Sequence, residues 1–455
     1  MEIISFVHEG LGNSSYLVPL SGDGAVAAVD PDRSVGKYLR TAEERGLRVA
    51  AILETHLHAD FVTGSLDLGA ATGAPLFVSR DAGVRFPHNP LAPGEEARIE
   101  GVSLEPFASP GHTPEHTSYL IRWPDQRPPA LFSGGSLIVG GAARTDLISP
   151  DLTDELTHAQ YRTLRQAFAD LADETLLYPT HGGGSFCSAG VGGERTSTLG
   201  RERAANPLLQ FDDEDEFTRW FPTTFPAVPD YFFRLRAVNQ AGPRARAEIA
   251  DPPPLAPAEF RDAAAAGALV IDVRPVSEYM AAHIPGSLSN FFRPSFPVWL
   301  GWLVPPATPL LFVADGAPVA DVVAESLLVG YEDFAGWLNG GIAAWERAGL
   351  PLTSSAVIDS TEARRMVLAG AAVLDVREPS EYAAGHIEDA IHLPLGSLKE
   401  HLERVPRDRP LIPYCGMGER STTAISLLER AGFGPLSGLV GGFRAWKEAG
   451  EKVAR

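Results

Sequence analysis

Short apolar runs alternate with polar turns and stretches of helical period through the first 240 or so positions. The runs predict strands over IISFV (3–7), SYLVPL (15–20), AVAAV (25–29), VAAILET (49–55), SYLIRW (118–123) and LLY (176–178). Helical periodicity covers 34–46, 64–73 and 153–172, and the last helix is expected to open behind Thr153 as its capping residue, with Asp154 and Glu155 in the first turn. Strands interleaved with helices predict layered α/β packing in which helices cover sheets. The pattern breaks at AGPRARAEIADPPPLAP (241–257), a proline-rich linker. Beyond it the chain repeats itself. VIDVRPVSEYMAAHIPGSL (270–288) matches VLDVREPSEYAAGHIEDAI (373–391), with Asp272 and Asp375, and His283 and His386, each 103 residues apart. NGGIAAWERAG (339–349) answers VGGFRAWKEAG (440–450). A period this long marks a duplicated domain rather than a solenoid, and its strand–helix alternation suits a parallel sheet.

The 455 residues agree with about three domains at roughly 150 residues each. With 44% hydrophobic and 21% charged residues, extended disorder is excluded. Asp and Glu outnumber Lys and Arg by 58 to 38, a formal charge of −20, which repels phosphate backbones and anionic lipids. No nucleic-acid or membrane partner is expected, and an anionic substrate has to be captured by a locally positive site. No run of about eighteen apolar residues occurs and the N-terminus lacks a secretory pattern. Two cysteines cannot build a disulfide framework, so a reduced, cytoplasmic protein is expected, and each thiol needs its own account.

The first account concerns PLIPYCGMGERSTTAISLLERAGF (410–433). An apolar run ends at Cys415, Gly416 to Arg420 follow, and a helix begins near Ser421. A nucleophile between a strand end and a helix N-terminus faces free backbone N–H groups and the positive end of the helix dipole. Gly416 and Gly418 leave those donors open and Arg420 adds a cation, an arrangement that stabilises a thiolate and a bound anion. The Asp-Val-Arg, Glu-Tyr and Gly-His-Ile block together with Cys-Gly-Met-Gly-Glu-Arg-Ser resembles the rhodanese (sulfurtransferase) family over the whole second repeat. The resemblance implies a persulfide on Cys415, formed from thiosulfate or another sulfane-sulfur donor and passed to a thiophilic acceptor. It makes Cys415 and Arg420 the catalytic pair and Gly416, Met417, Gly418, Glu419 and Ser421 the substrate-binding loop. Cysteine phosphatases place five residues between Cys and Arg, whereas this chain has four, a smaller loop. Asp375 and Arg377 are expected to be structural ties, and His283 and His386 fold-supporting hydrogen-bond groups. In the first repeat PLLFVADGAP puts Ala314 where Cys415 stands, followed by Asp315, so this copy resembles a rhodanese domain without its nucleophile.

The N-terminal part holds THLHADFVTG, SPGHTPEHTSY and LYPTHGGGSFC, three loops that bring His56, His58, Asp60, His112, His116 and His181 to the ends of apolar runs. Several imidazoles and a carboxylate at strand ends are how an open catalytic metal site is built. The order HxHxD, GHT, PTHG resembles the metallo-β-lactamase fold family, in particular its glyoxalase II and persulfide dioxygenase branch, over about residues 1–240. That branch implies one mononuclear iron on two His and one Asp, oxidising glutathione persulfide with O₂, and the two histidines fall on His56 and His112. Two departures stand out: Gly135 occupies the position of the family Asp, and Phe61 replaces the His that dinuclear hydrolases add after HxHxD. The remaining metal set is His56, His58 and His112, with Asp60 and His181 as further candidates. A mononuclear iron or zinc is expected at low occupancy, and Gly135→Asp is expected to raise it. Cys187, in the glycine-rich segment, is either a small apolar filler or a second persulfide-accepting thiol at the mouth of the cleft. Arg144, Arg195, Arg201 and Arg203 are candidate charges for an anionic thiol substrate.

The expected architecture is α/β and α+β multidomain. An αββα metallo-β-lactamase-like sandwich (1–240) and the linker (241–257) precede two rhodanese-like α/β domains with parallel sheets: a cysteine-free one (258–354) and one with the active-site cysteine (355–455). The expected function is sulfane-sulfur metabolism with thiosulfate, glutathione persulfide or other low-molecular-weight persulfides as partners, and a homo-oligomer stays open. The alternatives are a sulfurtransferase whose N-terminal domain only binds thiols or docks, and a glyoxalase II-like thioester hydrolase.

Overall fold

The computed structural model describes residues 2–125, 127–188 and 193–455, which fall into two compact units, one of residues 1–249 with 324–330 and one of 250–323 with 331–455. In the first unit the described residues form two six-stranded mixed sheets. One contains β1 (Ile4–His8), β2 (Asn13–Pro19), β3 (Ala25–Val29), β4 (Arg48–Leu53), β5 (Leu76–Ser79) and β6 (Asn89–Leu91) in sequential order. The other contains β7 (Ala97–Ile99), β8 (Val102–Ala108), β9 (Thr117–Arg122), β10 (Ala130–Gly134), β11 (Leu176–Pro179) and β12 (Ser197–Thr198). Alternation along each strand decides what it packs against. Tyr16, Val18, Ala27, Val29, Ala51 and Leu53 face Leu104, Tyr119, Ile121 and Phe132 in a core between the sheets. Leu17, Val26, Ala28 and Ile52 point the other way, onto Tyr38 and Leu68 of the helices Gly36–Glu44 and Ser65–Thr72. Leu120, Leu131 and Leu177 are covered by Leu164, Phe168, Phe217 and Phe221. The result is a four-layer αββα sandwich.

Thr153 is not a cap. A 3₁₀ turn, Pro150–Leu152, runs straight into the helix Thr153–Arg162, so Thr153 is already helical and its hydroxyl donates back to Ser149 O at 3.2 Å. The proline-rich stretch is divided: residues up to Ile249 fall in the first unit, and β13 (Pro254–Leu255) joins a sheet of the second.

In the second unit the first repeat is a five-stranded parallel sheet ordered β13, β17 (Phe334–Leu338), β16 (Leu310–Val313), β14 (Leu269–Asp272), β15 (Leu288–Ser289). The second repeat pairs β18 (Ala356–Ile358) with β23 (Ser437–Leu439), and β19 (Ala372–Asp375) with both β22 (Leu411–Tyr414) and β21 (Ile391–His392), all parallel. The short strands β20 (His386–Ile387) and β24 (Val453–Ala454) pair at its edge. Each repeat ties its first long strand to the following helix in the same way. Arg274 chelates Asp272 and donates to Ala282 O at 2.8 Å; Arg377 chelates Asp375 and donates to Gly385 O at 2.8 Å. His283 and His386 bond to Tyr279 O and Tyr382 O and stack on those tyrosine rings at 4.0 and 3.7 Å.

Candidate functional site

In the first unit the histidine loops converge above the strand ends. His56, His112 and His181 each offer a ring nitrogen, these atoms lie within 4.8 Å of one another, and all three residues are buried. The other nitrogen of each ring is held by an oxygen. Thr55 Oγ1 donates to Asp30, so it accepts from His56 Nδ1 at 2.8 Å. Arg144 O accepts from His112 Nδ1 at 2.6 Å, and Asn13 Oδ1 from His181 Nδ1 at 3.1 Å. This leaves three Nε2 lone pairs directed at one another, with His56 and His181 Nε2 3.2 Å apart. Burial and the neighbouring imidazoles hold His56 well below its ordinary pKa. Burial first, then His181, takes His112 down to about 3; burial, then His58, does the same to His181. Neutral imidazoles with oxygen-anchored Nδ1 atoms are the state in which histidine binds metal. His112 Nε2 and Asp60 Oδ1 are buried without a hydrogen-bond partner, a costly condition that a cation relieves. The residues present therefore fit a metal ion.

His58 joins two further groupings of ligand atoms, one with Asp30 and His56 and one with Asp60 and His181. Its Nε2 lies 3.1 Å from Glu54 and 3.4 Å from Asp30, and its ring stacks on Phe61 at 4.2 Å. Burial opposes its charge, yet the two carboxylates raise it to about 10. Asp30 keeps its charge against burial through His58, Thr180 and Thr55. His181 completes the grouping with His56 and His112. His116 is committed elsewhere: its Nε2 accepts from Gly135 N at 3.0 Å and its Nδ1 bonds to Ser109 Oγ. Gly135 is packed against the cluster, and a Cβ there would lie 2.6 Å from His112 Cδ2 and 3.0 Å from His181 Cδ2. An aspartate at 135 thus competes with the imidazoles instead of joining them, against the sequence-based expectation.

Cys187 is also placed differently from the exposed alternative. It is fully buried, and burial followed by the neighbouring Asp60 pushes its thiol well up, so it is a neutral thiol inside the site. The segment after Ser188, residues 189–192, lies outside the described residues. None of the candidate arginines is held for a substrate. Arg144 chelates Asp146 and donates to Pro226 O, and Arg195 donates to Gly12 O and Glu9. Arg201 binds Glu194, and Arg203 binds Asp173 and backbone carbonyls. Asp30, Glu54 and Asn13, which orient the cluster, escaped the sequence analysis. The available signal was Asp30, a charged residue directly after the wholly apolar β3, in a left-handed conformation at φ 48°.

In the second unit Cys415 follows β22 and precedes the helix Glu419–Arg430. The Cys415 side chain is buried, and Gly418 N donates to its Sγ at 3.1 Å. Gly418 has φ 119°, a conformation that only glycine adopts readily, and this turns its N–H back onto the sulfur. Cys415 O and Gly416 O accept from Phe443 N and Arg444 N at 2.8 and 3.2 Å. Met417 is 60% exposed and Ser421 donates to Gly418 O at 2.9 Å. Arg420 is not a free cation. Glu381 chelates its two terminal nitrogens at 2.6 and 2.8 Å, and this carboxylate outweighs burial in raising the arginine. In the first repeat Asp272 pairs with Val313 as Asp375 pairs with Tyr414, which puts Ala314 in register with Cys415. The Asp315 carboxylate fills the loop, accepting from Ile342 N at 2.9 Å.

Comparison with known proteins finds both kinds of domain. Residues 9–181 match the metallo-β-lactamase superfamily, and residues 256–348 and 359–449 each match the rhodanese-like domain. The chain is 31% identical to a hydroxyacylglutathione hydrolase of Saccharophagus degradans over 50% of this chain and 79% of that protein. It is 29% identical to the human mitochondrial persulfide dioxygenase ETHE1 over 38% of this chain and 61% of that one. Other hydroxyacylglutathione hydrolases are matched over 62% of their length. A metallo-β-lactamase structure from Staphylococcus aureus superposes with a TM-score of 0.66 at 27% identity, covering 74% of this chain and 98% of that one. The chain belongs to the metallo-β-lactamase superfamily in its N-terminal part and carries two rhodanese-like domains after it. Among the described residues no helix is long and apolar enough to cross a membrane.

Proposed function

We propose that the chain is a thiosulfate or persulfide sulfurtransferase working through Cys415, coupled to a persulfide dioxygenase-like domain at residues 1–240. The observation that carries this is the Cys415 sulfur held by a backbone N–H at the head of a helix, in a chain related to a persulfide dioxygenase. In the first half-reaction the Cys415 thiolate attacks the outer sulfur of thiosulfate; the S–S bond breaks and its electron pair leaves with sulfite. In the second, an acceptor thiolate or cyanide attacks the terminal sulfur of the persulfide and the electron pair returns to Cys415 Sγ. The N–H of Gly418 stabilises anionic sulfur in both states. Arg420 acts through Glu381, the pair fixing the floor of the loop, and the cysteine-free repeat carries no sulfur.

A mononuclear iron or zinc would be held by His56, His112 and His181, with Asp60 beside them; either metal supplies Lewis-acid chemistry and iron adds redox chemistry. Thr55, the Arg144 carbonyl and Asn13 orient the three imidazoles, and the Asp30–His58–Glu54 group lies buried next to them. The partners are thiosulfate, glutathione persulfide and related small persulfides, in the cytoplasm. Similarity to hydroxyacylglutathione hydrolases favours thioester hydrolysis as a second reading. Phe61 stacked on His58 puts an apolar ring where such hydrolases, by family resemblance, need a further ligand.

The test is mass spectrometry of the Cys415 peptide after incubation with thiosulfate, together with metal analysis and oxygen uptake on glutathione persulfide. One added sulfur on Cys415 is expected; hydroxyacylglutathione turnover without sulfur uptake would replace this assignment with the second reading.

A further inference from the structure

The two rhodanese repeats share one compact unit, and a cavity of about 430 Å³ lies between them at the cysteine loop. Pro275, Met280 and Phe291 line it from the first repeat, and Met417, Glu419 and Val440 from the second. The volume lies within the roughly 300–1,000 Å³ usual for small-molecule sites. Five of its fifteen lining residues therefore come from the copy that has no cysteine.

Equivalent loops of the two repeats reach across this boundary. Asn290 N and Phe292 N bond to Asp272 O and Val273 O, as Leu393 N and Leu395 N bond to Asp375 O and Val376 O. Arg293 is thus the counterpart of Gly396. Gly396 is pressed against Trp302 of the first repeat, whereas Arg293 extends to Glu419, the residue that opens the helix after the Cys415 loop. The Arg293 side chain is 21% exposed, and its Nε is buried with no hydrogen-bond partner. Burial weakens its charge, Cys415 supports it and Arg420 opposes it. Arg420 has both terminal nitrogens on Glu381, while Arg293 uses one terminal nitrogen on a single, 39% exposed carboxylate. A buried donor left unpaired is costly, and an incoming acceptor removes that cost.

We infer that Arg293, supplied by the cysteine-free repeat, is a substrate-positioning residue for Cys415: it binds the anionic group of the sulfane-sulfur donor, and Glu419 is its counter-ion when no donor is bound. This rests on Cys415 being the sulfur carrier. The anionic group is the sulfonate of thiosulfate or a carboxylate of glutathione persulfide, and the bond that breaks remains the S–S bond of the donor.

The test is steady-state sulfur transfer by the full chain from thiosulfate, from glutathione persulfide and from the uncharged bis(2-hydroxyethyl) trisulfide. For Arg293→Gln the KM for thiosulfate rises about 10- to 100-fold while kcat changes less than about 3-fold, the effect of losing a charged hydrogen bond. A parallel rise for glutathione persulfide shows that its carboxylates use the same group. The uncharged donor keeps its KM, Arg293→Lys restores part of the thiosulfate affinity, and Glu419→Gln lowers the thiosulfate KM by releasing Arg293. An unchanged thiosulfate KM in Arg293→Gln overturns the inference, as do equal losses for charged and uncharged donors. If Arg293→Gln does not fold, Arg293→Lys and Glu419→Gln still give opposite shifts or overturn it. A wild type that loads no sulfur on Cys415 from any donor removes the underlying assignment itself.

Discussion

Replacing Gly135 by alanine adds one carbon to the histidine cluster, and the structure states where it goes. The new Cβ would lie 2.6 Å from His112 Cδ2 and 3.0 Å from both Ala143 Cβ and His181 Cδ2. The backbone cannot retreat, because Gly135 N donates to His116 Nε2 at 3.0 Å and Gly135 O accepts from Ala143 N at 2.9 Å. Relief comes from turning His112, which breaks its 2.6 Å bond to Arg144 O, the contact that leaves Nε2 free for a metal. Overpacking of this kind costs about 1–3 kcal/mol, and disturbing an orienting partner typically weakens metal binding about 10- to 100-fold. Zinc affinity measured by competition with a chromophoric chelator should fall by about that factor in Gly135→Ala. Gly135→Asp, which begins with the same Cβ, should do no better and should not raise iron content. Wild-type affinity in the alanine variant, or increased iron in the aspartate variant, would refute the reasoning. It would show that the His112 and His181 rings swing aside and admit a carboxylate.

Further outcomes follow from the same geometry. Cys415→Ser should lose sulfur uptake and transfer entirely, seen as the absence of a 32 Da adduct (the mass of one sulfur, ~32 Da); residual transfer would point to another carrier. Ala314→Cys in the first repeat should gain no activity in the thiosulfate assay, because Asp315 fills its loop; a marked gain would mean that the loop opens. Asp30→Asn should destabilise the first unit by about 3–5 kcal/mol, since it strips the buried His58 imidazolium of one carboxylate and leaves one oxygen for Thr55 N, Thr55 Oγ1 and Thr180 Oγ1, which now share two. Denaturant unfolding followed on the first unit reads this directly, and a midpoint equal to wild type would contradict a charged His58.

What the residues disclosed in advance, and what they did not, follows the range of the forces involved. β3 and the part of β4 after the exposed Arg48 were legible because both faces are buried and the runs are apolar. β8 alternates cleanly between buried and half-buried positions, but Pro106 inside it argues against a strand. The duplication, the missing thiol at Ala314 and the cysteine loop were carried by local spacing and were visible at once. The charge state of the sites was not. His56 and His58 stand two residues apart, so extended backbone sends both toward the same side, and spacing treats them as equal ligands. The difference arises from Asp30, which the parallel pairing of β3 with β4 brings beside His58. Arg420 looked like a free cation in its own loop because its neutralising partner, Glu381, is 39 residues away on another helix. In both sites the chain supplies the reactive groups within a few residues and balances their charge from distant segments. A nucleophile or an imidazole is therefore readable from its motif, whereas its protonation and the charge left for a substrate are set by the tertiary fold. The same logic makes Arg293 unreadable from the cysteine motif: only the packing of a repeat that has lost its own thiol brings it to Glu419.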